Sequence, residues 1–442
     1  MALKLKNILK LFATVCCWCA LAPAAQANGI EQLLQQAIAI SPEVAKAKAQ
    51  MLVAQADLKI SEAAWLPQAS ARLYNGVGNT KQSNPFANQR NANENVQNNS
   101  ISLQQSIYNK PASIQIEQTQ LSVQEAELRH AMAVQTAIQN WINKLMDYKQ
   151  SKAALSLAEH KLQTALLQKE HVEQGEKNGE NSALELANTE TELALRHAEL
   201  GQAQHAVGQR LWELSQLTGQ EVAPAWIDGI EFNMPPALHT EKKLEQEVLL
   251  NNLSLKIQQL YKQAATLEIN KANGQHHPTV KLVAQHSQSE SESVSTLGNR
   301  VEQNMLAVQM DIPLFNGFAT RAQTEKAAAS LNQQHADFNK ASAQVLRDTQ
   351  AAHRQLNSAA HLWNAYTQAN HAATQQQLAI ETAIKHKLAT PLDLAKAKEK
   401  LTELKMKKME YLLAANKAFL VLQELTGVLN IESALGRLSK LE

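Results

Sequence analysis

Two acids in this sequence stand where a carboxylate can do work. Glu185 lies in NSALELANTETEL (Asn181 to Leu193) and Asp393 in ATPLDLAKAKEKL (Ala389 to Leu401). Each follows a hydroxyl residue by three, Ser182 and Thr390, at the start of a helical pattern. An acid there can receive the free N–H groups of a first helical turn, and the helix dipole favours its negative charge. The structural reading is therefore a cap, with SALE fitting the capping-box pattern and TPLD its shorter analogue. The other titratable clusters are weaker. His276 and His277 precede Pro278 at a corner, and His353 and His361 fall on a polar helix. They read as solvated surface, with no metal and no cofactor expected. The lysine-rich KAKEKLTELKMKK (Lys396 to Lys408) reads first as a wet face with i,i+4 ion pairs and second as a site for an anionic partner. No nucleophile–base set and no glycine-rich phosphate loop stands out, so the sequence does not read as an enzyme.

The two acidic segments are copies. Ser182 and Thr390, Leu184 and Leu392, Glu185 and Asp393, Leu193 and Leu401 are each 208 positions apart. LSQLTG (Leu214 to Gly219) and LQELTG (Leu422 to Gly427) keep the same offset, and SIYN and PLFN nearly so. A long-period repeat of this kind dictates the fold reading. It divides the chain into a first copy over 28–220, a connector over 221–240 that belongs to an equatorial belt, a second copy over 241–427 and a tail over 428–442.

Each copy has one order of elements. A helix over 30–64 leads to a strand over 67–78, an Asn-rich loop over 79–99, and a second strand over 100–109. A long helix then covers about 112–172, and a last helix 183–216. The second copy predicts a helix over 244–272, strands over 279–289 and 301–315, a long helix over 319–386 and a last helix over 391–424. At 1.5 Å per residue the long helix is roughly 90 Å and each short one roughly 50 Å. Two short rods thus match one long rod. Leu186, Leu193, Leu200, Val207 and Leu214 recur by sevens, as coiled-coil packing demands. In the last strand Leu306, Val308, Met310 and Ile312 share one face, with Gln309 and Asp311 on the other. The fold class is mainly α with a small β part.

Composition sets the compartment. Lys4, Lys6 and Lys10, an apolar run over 11–22 and AQA at 25–27 make a signal peptide over 1–27. All three cysteines, Cys16, Cys17 and Cys19, lie inside it, so no thiol or disulfide is expected in the mature chain. The formal charge of +1 falls to about −2 once those three lysines are gone, which gives nucleic acid no purchase. No later stretch is apolar enough for a membrane helix, so any crossing must be made by strands. Four strands cannot close a barrel. Eight, from two chains, or twelve, from three, can, and the alternative is a pair of exposed hairpins on a soluble helical protein.

The export signal, the twofold order of elements, the strand ends SLQQSIYN and MDIPLFNGF, SPEVAKAKA in the first helix and LTG closing each copy resemble the TolC family of outer-membrane efflux proteins. The resemblance spans about 28–430. It implies a homotrimer with a shared β-barrel in outer-membrane lipid and a helical barrel across the periplasm. It also implies a periplasmic membrane-fusion adaptor and an inner-membrane pump of the ABC or RND type as partners. The loops over 79–99 and 290–300 would face outside the cell. Tip residues Gly179, Glu180, Asn181 and Ser182, with Lys387, Leu388, Ala389, Thr390 and Pro391, would meet the adaptor. The acid aligned with Asp393 helps close the tunnel mouth in the family, with Glu185 its first-copy counterpart. A second acid three residues on is replaced here by Lys396, and by Asn188 in the first copy. Ile384 and Ala389 occupy the aligned latch positions and cannot form a polar latch. The alternative reading is a periplasmic coiled-coil adaptor without a pore.

Overall fold

The computed structural model describes residues 29–84, 87–236, 240–293, 296–436 and 438–440. The signal segment with its cysteines lies outside them. The chain opens with helices α1 (Gly29–Ile40) and α2 (Pro42–Ala63), then strands β1 (Gln68–Asn84) and β2 (Ala87–Tyr108). The 68-residue α3 (Lys110–Lys177) and α4 (Ala183–Thr218) follow. A belt segment carries the short α5 (Pro224–Ile227) and β3 (Ile230–Phe232). The second half repeats the order with α6 (Glu241–Asn251), α7 (Leu253–Gly274), β4 (Thr279–Ser293), β5 (Thr296–Asp311), the 67-residue α8 (Ala319–Lys385) and α9 (Pro391–Leu425). The tail adds α10 (Ile431–Leu435) and β6 (Leu438–Lys440), and β6 pairs antiparallel with β3.

Two single helices of the sequence reading are each broken in two. Pro42 cannot donate to the turn before it, so Ser41 leaves helical geometry and its hydroxyl accepts from Val44 N–H. The second copy breaks without proline. Asn252 caps α7 through its side chain, accepting from Leu255 N–H at 3.0 Å, and donates to the carbonyl of Leu425 at 3.0 Å. An Asn that reaches both its own helix and the end of α9 fixes the joint between them. Close by, Gly427 has φ 70°, and a Cβ there would stand 2.8 Å from the Asn251 carbonyl oxygen. That contact explains why LTG ends in glycine.

The other correction concerns the loops. Residues 79–84 and 87–99 are strand, not loop, and β4 and β5 extend to Ser293 and from Thr296. Polarity argued for a loop there, but pairing along a ribbon satisfies the backbone whatever the side chains.

The four long strands form one antiparallel sheet in the order β1-β2-β4-β5. Its register explains the alternation. Ala69, Leu103, Ala284 and Leu306 make one row across the sheet, and Leu282 pairs with Val308 and Val280 with Met310 on the same face. The opposite face carries Ser70 beside Ser102, hydrogen-bonded at 2.9 Å, then Gln285, and the row Arg72, Ser100, Ser287 and Gln303. Tyr74 belongs to this polar face as well. Leu306 is 74% exposed and Val308 65%, an apolar strip that fits a surface turned to lipid. Beyond the row Ala71, Ile101, His286 and Asn304 that face turns polar, and in the next row only Leu73 is apolar, beside Asn99, Gln288 and Glu302.

The helices stack as rods. In the half next to the sheet the lateral order is α2-α3-α7-α8; in the far half it is α4-α3-α9-α8. Both long rods thus run the whole length, and each half-rod pair fills one lane. The largest core lies at mid-length, where Leu34, Trp141, Leu145, Tyr148, Leu214 and Leu420 are all almost fully buried under the belt.

The two faces of the sheet predict opposite tolerances. Val308→Arg should cost about 2–4 kcal/mol if the residue lies near mid-bilayer, whereas Gln309→Arg beside it should cost little. Yield of heat-resistant oligomer from outer membranes distinguishes them. Equal loss from both variants would overturn the assignment of faces.

Candidate functional site at the tip of the rods

The helical hairpins α3–α4 and α8–α9 turn at the end of the rods farthest from the sheet. Both turns close the same way. Gly179 has φ 77° and Lys387 φ 59°, both left-handed. The next N–H folds back onto the helix it has just left. Glu180 donates to the Gly175 carbonyl at 2.7 Å and Leu388 to the Ala383 carbonyl at 2.9 Å. This is the 6→1 bond that terminates helices, and it favours a residue without Cβ at the left-handed position. Glycine fills it once. In the second copy Lys387 does so at a steric cost of roughly 1–2 kcal/mol. Leu388 beside it is 81% exposed, a bare apolar tip.

The caps differ as well. Ser182 accepts from Glu185 N–H at 3.2 Å, but the Glu185 carboxylate does not return to Ser182. In the other copy the box closes: Asp393 N–H donates to Thr390 Oγ1 at 3.2 Å, while Thr390 N–H and hydroxyl both donate to the Asp393 carboxylate, at 2.9 and 2.7 Å. The sequence had favoured SALE for the complete box; the structure gives it to TPLD. Pro391 holds the first turn ready, so the short aspartate reaches back without further ordering. Asn181, instead of pairing outward, donates to the Val172 carbonyl at 3.2 Å and packs against Gly175, where a Cβ would overlap its amide.

Electrostatics single out one of the acids. The Thr390 hydroxyl, then the Thr390 N–H, hold Asp393 below the usual carboxylate range, helped by Lys396 one turn on and by His171 of α3. α9 packs along α3 in this half of the rods. Asp393, Lys396 and the first-copy rod are thereby brought to one place. Glu185 and Asn188 lie on the exposed first turns of α4. Ala389 ends the second turn without a polar side chain, and Ile384 lies in the last turn of α8. Sequence reasoning missed His171, because nothing in the spacing of α3 residues says which of them reaches α9.

Against known proteins, the outer membrane efflux protein model matches residues 33–220 and 244–428. The chain belongs to that family. Membership makes it a channel-class protein of the outer membrane with a large periplasmic helical part, not an enzyme. It is 22% identical to the outer membrane protein TolC of Salmonella enteritidis over 94% of this chain and 83% of the relative. The alkaline protease secretion protein AprF of Pseudomonas aeruginosa is 25% identical over 53% of this chain, and the match spans only half (50%) of AprF. Among solved structures, the outer membrane protein VceC of Vibrio cholerae superposes with a TM-score of 0.70 at 18% identity, covering 90% of this chain and 96% of that one. The MtrE outer membrane channel of Neisseria gonorrhoeae, solved in an open state, gives 0.67 at 15%, covering 91% and 90%.

Two outcomes follow for the tip. Lys387→Gly should leave the turn intact and stabilise it by about 1 kcal/mol, whereas Gly179→Ala should destabilise its turn by a similar amount. Amide exchange of the two turns reads both. For Asp393, a depressed folded-state value means that its stabilisation is full above the ordinary aspartate pKa of about 3.9 and is lost as pH falls through the lower, folded-state value. Exchange at the start of α9 should therefore accelerate only in acid. Asp393→Asn should show the faster rate already at neutral pH.

Proposed function

We propose that three copies of this chain form one export duct. The observation that carries it is that every layer leaves two open edges, always of the same elements. β1 and β5 flank the sheet, α2 and α8 flank the near rods, α4 and α8 the far rods. An unpaired strand edge is excluded from hydrocarbon. A head-to-tail ring joins β1 of one protomer to β5 of the next and, with the same rotation, α2 and α4 to α8. Three protomers supply twelve strands and four rods each at both levels. The large apolar side chains left on these edges fit that closure: Ile60 on α2 is 69% exposed, Trp212 on α4 62% and Leu378 on α8 50%. In this reading 28–220 and 241–427 are two copies of one unit, joined by the belt at 221–240.

The duct is passive. Its barrel face is mostly amide and hydroxyl, broken by Val283, Met305 and Ala307 and by the charged Arg72, Lys281 and Asp311. Cargo enters at the tip, delivered by an inner-membrane pump of the ABC or RND type through a periplasmic adaptor, in efflux or type I secretion. The adaptor meets the two turns, Gly179 to Ser182 and Lys387 to Pro391, where exposed Leu388 offers an apolar knob. Asp393 contributes a ring of three carboxylates to the mouth. Its first duty is the cap, and Lys396 beside it offsets its negative charge. The mouth is accordingly less acidic than one with two rings, and Ile384 and Ala389 provide no polar latch.

Channel recordings in planar bilayers test the duct and the ring separately. The expected result is a steady conductance that added divalent cations block weakly from the tip side, and less in Asp393→Ala than in the parent. Block unchanged by Asp393→Ala removes that residue from the gate. A mature chain recovered as a monomer from the soluble periplasmic fraction overturns the duct.

A further inference from the structure

Midway along the rods, α3, α9 and the belt enclose a cleft of about 400 Å³. It is separate from the tip, and it lies between the two central rods, away from the edges where protomers meet. Its lining divides by chemistry. Phe232 of β3 with Met409, Leu412 and Leu413 of α9 form an apolar floor. Lys149 of α3 and Lys405 and Lys408 of α9 stand around it, with Asp228 and Glu231 of the belt.

The acids do not balance these cations. The Asp228 carboxylate is already taken: Tyr148 hydroxyl donates to one oxygen at 2.8 Å and Lys152 to the other at 2.6 Å. Burial pushes Asp228 up, but those two donors outweigh it and hold its carboxyl below the usual range. Lys149 donates to the Asp228 main-chain carbonyl at 2.7 Å, a neutral partner, while the charges of Asp228 and Glu231 favour its protonated form and that of Lys152 opposes it. Lys408 rests over the Trp363 ring at 5.3 Å. Lys405 has no ion pair or hydrogen bond among the described residues. Three lysines therefore line the cleft, against one carboxylate, Glu231, that has no hydrogen bond or ion pair among the described residues. Burial pushes Lys149 down, the direction expected of a cation that lacks a full counter-charge.

We propose that this cleft binds a small organic acid with an apolar body, its anionic group held by Lys405, Lys408 and Lys149 and its body laid on Phe232, Met409 and Leu412. The volume lies within the range of small-molecule sites, and an apolar floor with a few convergent polar groups is their usual make-up. A carboxylate would bring charge-assisted bonds to ammonium groups that now have weak partners or none. It would also tie α9, which carries Asp393 at its start, to α3 and to the belt at one point. The inference stands whether or not the trimer conducts.

The test uses the full mature chain in lipid nanodiscs and naphthalene-2-carboxylate as probe, with naphthalene-2-carboxamide as its neutral twin. Calorimetry should give a dissociation constant on the order of 1 mM or tighter for the acid. The amide should bind at least about tenfold more weakly, and the double variant Lys405→Ala/Lys408→Ala should lose at least about tenfold for the acid. Lys405→Arg/Lys408→Arg should retain binding. So should Lys340→Ala, which lines a different cleft. Hydrogen exchange should slow at 228–232 and 405–413 when the acid is present. No binding by the parent overturns the proposal. So does equal affinity for acid and amide, or a double alanine variant that binds as the parent does.

Discussion

A strand with an unpaired edge cannot stand in hydrocarbon, and most of this architecture answers to that. Each chain brings four strands, fewer than any membrane barrel needs, and so each brings two edges that only another chain can cover. Because the sheet must close around an axis, everything attached to it is drawn into the same ring. Each strand runs on into a helix within a few residues, as α2 into β1 and β2 into α3. The spacing of strands around a barrel thereby dictates how many rods surround the space below it. Four lanes of helix for four strands is the simplest match, and it is kept at both levels by letting two rods run full length while half-rods change partners at the middle.

That exchange of partners explains where the core is. Along most of the rods the buried residues are small: Ala126, Ala158 and Ala165 on α3, Ala327, Ala352 and Ala373 on α8. Small side chains let helices approach but bury little. The large ones gather where α1, α4, α5 and α10 converge on α3 and α9, around Trp141 and Tyr148. The rods are therefore anchored at mid-length and held more lightly toward the tip, which leaves the tip turns the part of the molecule most easily displaced.

The repeat made much of this legible in sequence. Helix ends at Thr218 and Leu425, the alternation around Leu306 and the heptads of α4 all follow from local rules that a single chain displays. The breaks at Ser41 and Asn252 were less legible. Pro42 signals the first, but at a helix's first turn proline also signals nothing more than a start, and Asn252 acts through the end of α9, about 170 residues away. The ribbon over 79–84 and 87–99 was read as part of a loop because its residues are mostly polar, and polarity speaks of solvent, not of backbone pairing. At the tip, sequence placed the acids correctly at helix starts and chose the wrong one for the closed box. Reach decided it: with Pro391 fixing the turn, the shorter aspartate fits where the glutamate does not return. Of the cationic cleft only the lysine-rich run with Lys405 and Lys408 was legible, as the second reading of a site for an anionic partner; Lys149 and the belt join it only by packing.

The polar ribbon has one more consequence. A strand needs about 9–11 residues to cross a bilayer, whereas β2 has 22. Past Leu73, β1 continues to Asn84 with little on it that lipid would accept, a rise of roughly 35 Å. Once closed, the barrel would stand above the membrane as a chimney. Whatever leaves it is released well clear of the lipid surface, in open water, where an oily or charged molecule has lost its shortest way back in.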